Sequence, residues 1–200
     1  MKYFITGLHS SGKQEVVEYL KNMGVKCGNL FTNFDELNDN IYNFKNYEVY
    51  KNEDITDVFE NDAYIFIHEM PQASMNFKTG RYYEGLSKYT FDQNDVFILS
   101  PDQLLSITPN VIKEDVCFIW LDNTKDNRSA RYYNERRMYN YMERDAYEKH
   151  DLNAYVKALY SFNNSRLIYF NDEVPQRVAA IIYTMIKHPD TIETFVKNFD

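Results

Sequence analysis

Near the N-terminus seven residues, Gly7-Leu8-His9-Ser10-Ser11-Gly12-Lys13, read Gly-x-x-x-x-Gly-Lys. Glycines at these two places let the backbone curl so that successive N–H groups point inward at phosphate oxygens. A helix opening directly after the loop adds its own N-terminal N–H groups and the positive end of its dipole. Lys13 supplies a mobile cation for β- and γ-phosphates, and Ser10 and Ser11 lie inside the cradle. This is the chemistry of holding a nucleotide such as ATP by its phosphates. The residue after such a lysine is normally Ser or Thr, whose hydroxyl coordinates Mg²⁺. Here it is Gln14, whose amide oxygen is longer and less suited to that role.

The motif needs a strand before it and a helix after it, and the flanking sequence predicts both. Tyr3-Phe4-Ile5-Thr6 reads as a short buried strand. From Gln14 to Asn22 a helix places Val16, Val17 and Leu20 on one face, and Gly24 suits its end. A tight Gly-Ser turn in an unrelated protein would have no reason to carry this pair of neighbours.

Further along, Val25 to Cys27 could begin a second strand, while Gly28 to Asn46 gives no clear assignment. Strands are expected at 47–50, 63–67, 96–99, 116–121 and 166–170, and Val116 to Leu121 is the clearest central one. Asp54 suits the start of a short helix through Phe59, and Ser100-Pro101-Asp102 suits another through Leu105. A long charged, Tyr-rich helical stretch covers about 126–162 with a break near His150, and Val174 to Lys187 is amphipathic. Strands alternating with helices imply an α/β fold with a mostly parallel sheet flanked by helices, built as one domain over 1–200. The polar stretches, about 28–90 and 126–150, are expected to be an inserted acceptor-binding region and a lid.

Composition sets the limits. A net charge of −8 argues against a broad nucleic-acid-binding face, although a mononucleotide needs only a local cluster of cations and N–H groups. Cys27 and Cys117 have neither metal-like spacing nor the look of a disulfide framework, which fits a reduced cytoplasmic setting and core thiols. No apolar run has the length of a membrane span, and no leader-type segment precedes the loop. The 18 Tyr and 14 Phe against one Trp, beside many Asn and Lys, look like coding bias rather than a stacking surface.

The layout resembles the guanylate kinases, a family of nucleoside-monophosphate kinases, over most of the chain, with the glycine loop as the individually specific element. Ala63-Tyr64-Ile65-Phe66-Ile67-His68-Glu69 is similar to the family's strand ending in an acidic residue, and Gly80-Arg81-Tyr82-Tyr83-Glu84-Gly85 resembles its Gly-x-Tyr-Tyr-Gly segment. The resemblance implies ATP and Mg²⁺ as cofactors, a nucleoside monophosphate (GMP or dGMP first) as acceptor, Glu69 near the base, and Arg81 and Tyr83 on the acceptor. It makes Asp102, after the 96–99 strand, the remaining carboxylate for a Mg²⁺-bound water. Asn171, in Ile168-Tyr169-Phe170-Asn171-Asp172, falls near the adenine.

Phosphoryl transfer is catalysed by positioning and cationic stabilisation, so a lid of arginines is expected. Arg137 and Arg144 are two helical turns apart on one face, in a segment that resembles the short lids of phage-type family members. The same stretch also reads as a solvated helix with Glu–Arg pairs. Between Lys26 and Asn46, where the family carries substrate-clamping arginines, this chain has none. That departure and Gln14 keep a second reading open, a kinase-like module that binds a nucleotide or protein with weak or no catalysis. A third is a kinase for a different small acceptor.

Overall fold

The computed structural model describes residues 1–32, 47–49, 63–69, 83–134, 152–162 and 164–196. Strands β1 (Lys2–Thr6), β6 (Val96–Ile98), β7 (Val116–Asp122) and β8 (Arg166–Asn171) form one parallel sheet in the order β6-β1-β7-β8. A parallel bridge from Cys27 to Val96 extends it beyond β6. The expected strand at 25–27 is thus a single bridge.

The sheet is apolar on both faces, as parallel sheets covered by helices must be. On one face Tyr3, Ile5, Cys117, Ile119, Leu121, Ile168 and Phe170 meet α1 (Lys13–Asn22) through Val16, Val17 and Leu20. The same face meets the long helix Pro175–Lys187 through Val178, Ala179, Ile182 and Met185. Helix α1 ends where Gly24, at φ 80°, lets its own N–H bond Lys21 O and Val25 N–H bond Leu20 O, closing the last turn.

On the other face Phe4, Phe97, Phe118, Trp120 and Leu167 meet Tyr155, Val156 and Leu159 of the helix Leu152–Leu159. Phe4 lies 5.5 Å from Phe118, 5.7 Å from Phe97 and 6.3 Å from Phe91, ring centre to ring centre. Part of the phenylalanine excess is therefore core packing rather than compositional drift.

A second sheet covers this face. Its order is β3-β2-β5-β4, from β2 (Leu30–Thr32), β3 (Tyr47–Val49), β4 (Tyr64–Glu69) and β5 (Tyr83–Ser87). Pairings with β5 are antiparallel and β2–β3 is parallel. Leu30, Ile65, Phe66 and Leu86 join the core cluster with Phe4 and Phe118. The 83–87 segment, part of the polar inserted region and given no element from sequence, is a strand because Gly85 fits where nothing larger would. A Cβ there would lie 2.5 Å from Phe66 O and 2.6 Å from the Phe31 ring.

The remaining described helices are α2 (Lys88–Gln93), α3 (Pro101–Leu105), α4 (Lys125–Asn134), α5 (Leu152–Leu159) and α6 (Pro175–Lys187), with 3-10 turns at Pro109–Val111 and Pro189–Thr194. Ser100 opens α3 with a capping box to Gln103. The expected helix at 54–59 and the middle of the 126–162 stretch lie outside the described residues. Among the described residues no helix is long and apolar enough to cross a membrane.

After β1 the chain turns to α1 on one face, and after the neighbouring β7 it leads to α5 on the other. Where adjacent strands send their chains to opposite faces, a crevice opens at their carboxyl ends, the usual place for a ligand in such sheets.

Candidate functional site

The glycine loop occupies that crevice. Gly7 stands at φ 138°, Ser10 at φ 53° and Gly12 at φ 93°. Gly12 is the left-handed residue from which α1 starts, and Lys13 is its first helical residue. This alternation of left- and right-handed backbone turns N–H groups inward. Gly7 also lies against the neighbouring strand, where a Cβ would fall 2.2 Å from Leu121 O. Lys13 Nζ donates to Gly7 O and Leu8 O, each at 2.7 Å. Thr6 Oγ1 and Ser10 Oγ are buried with no hydrogen-bond partner among the described residues. Left-handed glycines, a half-buried ammonium and two unsatisfied hydroxyls at the opening of a helix suit the phosphates of ATP.

Two elements brace the loop from the β7 side. Asn123, buried just beyond β7, donates from Nδ2 to Ser11 O at 2.7 Å. Its own carbonyl accepts from Arg128 Nε at 3.3 Å, and Arg128 is only 6% exposed. One turn further along α4, Arg131 covers Gly12, whose Cβ would lie 2.2 Å from Arg131 Nη1. Arg131 is paired with Glu15 of α1 at 3.0 Å. Residues three apart share a helix face, so Arg128 and Arg131 approach the loop together.

Gln14 follows Lys13 on α1 and is half-buried. Asp102 stands in the first turn of α3, directly after β6, the strand beside β1. Among the described residues no cluster of three or more His, Cys, Asp or Glu could hold a metal by itself. The residues present suit a Mg²⁺ brought in on nucleotide phosphates, with the Asp102 carboxyl and the Gln14 amide as the candidate protein oxygens. When bound, such an ion neutralises charge on the β- and γ-phosphates.

The second sheet ends in a polar layer. Thr32 is opposite Glu84, and Glu84 is opposite His68. Alternation puts these three on the same face as Leu30, Phe66 and Leu86, one step further along each strand. Thr32 is fully buried and Glu84 is 6% exposed. Glu69 and Tyr83, both expected on the acceptor, are direct cross-strand partners, with Glu69 exposed and Tyr83 half-buried. His68 Nδ1 lies 2.9 Å from Ser106 Oγ, and that hydroxyl donates to Asp102 O at 3.0 Å. The hydroxyl has one proton and gives it to Asp102 O, so in this network Nδ1–H is the donor to Ser106 Oγ.

At the end of β8, Asn171 is exposed and pairs in register with Asp122. Next to it Asp172, at φ 50°, accepts from Thr124 N–H and Asn127 Nδ2, each at 3.0 Å. These bonds, the backbone one first, hold its carboxyl below the ordinary range. Asp122 accepts the Tyr169 hydroxyl, and burial followed by this bond pushes that phenol upward. A small cleft between the loop and this turn is lined by Ser11, Val16, Asn123, Phe170, Glu173 and Pro175. Burial pushes Cys27 up to about 11 and Cys117 up to about 12, so neither thiol is a nucleophile at neutral pH.

The loop residues Gly7, Ser10, Ser11, Gly12, Lys13 and Gln14 form one turn from β1 into α1, while Asp102 stands in the first turn of α3 after the neighbouring strand. Arg81, Arg137 and Arg144 lie outside the described residues. His9, within the loop, is buried. Sequence reasoning missed Asn123, Arg131 and Glu84 as site residues. Arg131 had a usable signal, since Arg128 and Arg131 share helical spacing just after the most apolar strand. Asn123 and Glu84 had none, because their roles depend on partners 112 residues away and across the sheet, respectively.

No family model matches the chain, and no curated protein matches it. Among solved structures it is similar to guanylate kinase from Anaplasma phagocytophilum, with 10% identity, 98% of this chain and 89% of that one covered, and a TM-score of 0.48. It is also similar to an unliganded sugar kinase from a Janibacter species, with 11% identity, 93% and 94% covered, and a TM-score of 0.40. Likenesses this distant leave the functional argument to the loop and its surroundings.

Proposed function

We propose that the protein transfers a phosphoryl group from ATP to a nucleoside or deoxynucleoside monophosphate, with GMP or dGMP favoured. The observation that carries this reading is the loop, with its left-handed glycines, its position between a central parallel strand and a helix, and Lys13. The loop N–H groups and Lys13 would hold the β- and γ-phosphates, while Asn123 keeps the loop in shape. Arg137 and Arg144 would close as a lid over the transferring group. Glu69, Arg81 and Tyr83 would seat the acceptor, and Asn171 would lie by the donor's base. Asp102 would orient a water on Mg²⁺.

A coupled ADP-release assay across the common nucleoside and deoxynucleoside monophosphates tests this. Lys13→Ala should lower kcat/KM by about 100-fold or more, the scale of losing a cation aimed at the transferred group. No turnover with any acceptor, in a protein whose nucleotide binding is also indifferent to Lys13→Ala, would refute the reading. Gln14 favours a second one, a nucleotide-binding module with weak catalysis. Binding that depends on Lys13 without turnover would select it.

A further inference from the structure

Arg131 and Glu15 meet above the loop from elements 116 residues apart in sequence. A Cβ on Gly12 would be 2.2 Å from Arg131 Nη1 and 3.4 Å from Glu15 Oε2, so the ion pair sits on the loop's last glycine. Glu15 is in the first turn of α1, where the helix dipole favours an anion. The carboxylate thus lies in the helix's first turn, against a guanidinium and beside the loop's last glycine.

We propose that Glu15 is an internal stand-in for phosphate. It holds Arg131 over the loop until a polyphosphate arrives, and Arg131 then moves from the carboxylate to the phosphate oxygens. Arg131 is then a phosphate-binding residue, and Glu15 sets the affinity by competing for it. This rests on reading the loop as a polyphosphate site.

The two arginines of α4 divide the work by burial. Arg128 is 6% exposed and tied to Asn123 O, so it is fixed. The Arg131–Glu15 side chains are 26% and 50% exposed, so their pairing is screened and weak. A triphosphate offers several negative charges where the carboxylate offers one, and its oxygens can take the guanidinium's planar fork in two bonds. The exchange therefore runs toward the phosphate.

Titration calorimetry with inorganic tripolyphosphate, and separately with ATP, tests this on the wild type, Glu15→Gln, Arg131→Met and the double variant. Glu15→Gln should tighten tripolyphosphate binding by about three- to tenfold, the factor expected from an exposed ion pair plus a removed like charge. Arg131→Met should weaken it by about tenfold or more. The gain from Glu15→Gln should vanish in the Arg131→Met background. An unchanged affinity in Glu15→Gln, or a gain that survives without Arg131, overturns the exchange and leaves the phosphate-loop reading standing. Absence of binding of both ligands to wild type and Glu15→Gln overturns both.

Discussion

The carboxyl end of the parallel sheet and the end of the second sheet are both polar openings in one apolar core, yet their chemistry is opposite. Lys13, Arg128 and Arg131 converge on the glycine loop. Strands β2 to β5 contain no Lys or Arg, and their polar layer is Thr32, His68 and Glu84 with Glu69 at the rim. The first opening is made of backbone N–H groups and cations and suits a polyanion. The second is lined by the Thr32 hydroxyl, the His68 imidazole and the buried Glu84 carboxyl, with no cation supplied by its own strands.

The backbones differ as well. At the loop, strain is forced by close approach between strands, and this is the easiest place to break the contrast. Gly7→Ala puts a Cβ against Leu121 O at a positive φ. It should cost about 3 kcal/mol in urea unfolding, because a backbone carbonyl in a central strand cannot step aside. An unchanged unfolding midpoint would mean the loop is looser than its geometry shows.

A gentler change separates the two openings. Glu84→Gln keeps the shape of a buried side chain and removes its charge. The acceptor KM should rise by about tenfold while the KM for ATP stays constant, as expected when one hydrogen bond to a buried charge is weakened. Equal changes in both constants would show that the two ends are not chemically separate.

The smallest effect concerns the turn that ties β8 to α4. The Asp172 carboxyl is held below the ordinary carboxylate range by its bonds to Thr124 N–H and Asn127 Nδ2. A depressed native value stabilises the fold above the unfolded-state value, and that contribution is lost as pH falls through the native one. Wild type and Asp172→Asn should therefore differ slightly in thermal midpoint at neutral pH and converge in acid. A difference that persists in acid would assign the effect to packing instead of charge.

Local sequence made much of this legible. The apolar runs at Tyr3–Thr6, 96–99, 116–121 and 166–170 each became a strand of the parallel sheet, because a strand buried on both faces must be continuously apolar. Gly7 and Gly12 announced a tightly curled loop between a strand and a helix, and both stand at positive φ there. The second sheet was half hidden. Strands of three residues such as Leu30–Thr32 are too short for alternation to show, and Gly85 reads as a turn until its packing against Phe31 is seen.

What the sequence alone determined was the conformation of the glycine loop and the α/β frame, since both depend on neighbours in the chain: glycine freedom, apolar periodicity and a helix beginning at a fixed place. What only the tertiary structure decided was which residues surround the loop. Asn123 under Ser11, Arg131 over Gly12 and Glu84 between Thr32 and His68 are contacts made by strand order and helix placement, and no local spacing encodes them. The physical reason is that cross-element contacts are selected by burial and charge compensation in the assembled core, where a side chain's partner is fixed by geometry rather than by distance along the chain.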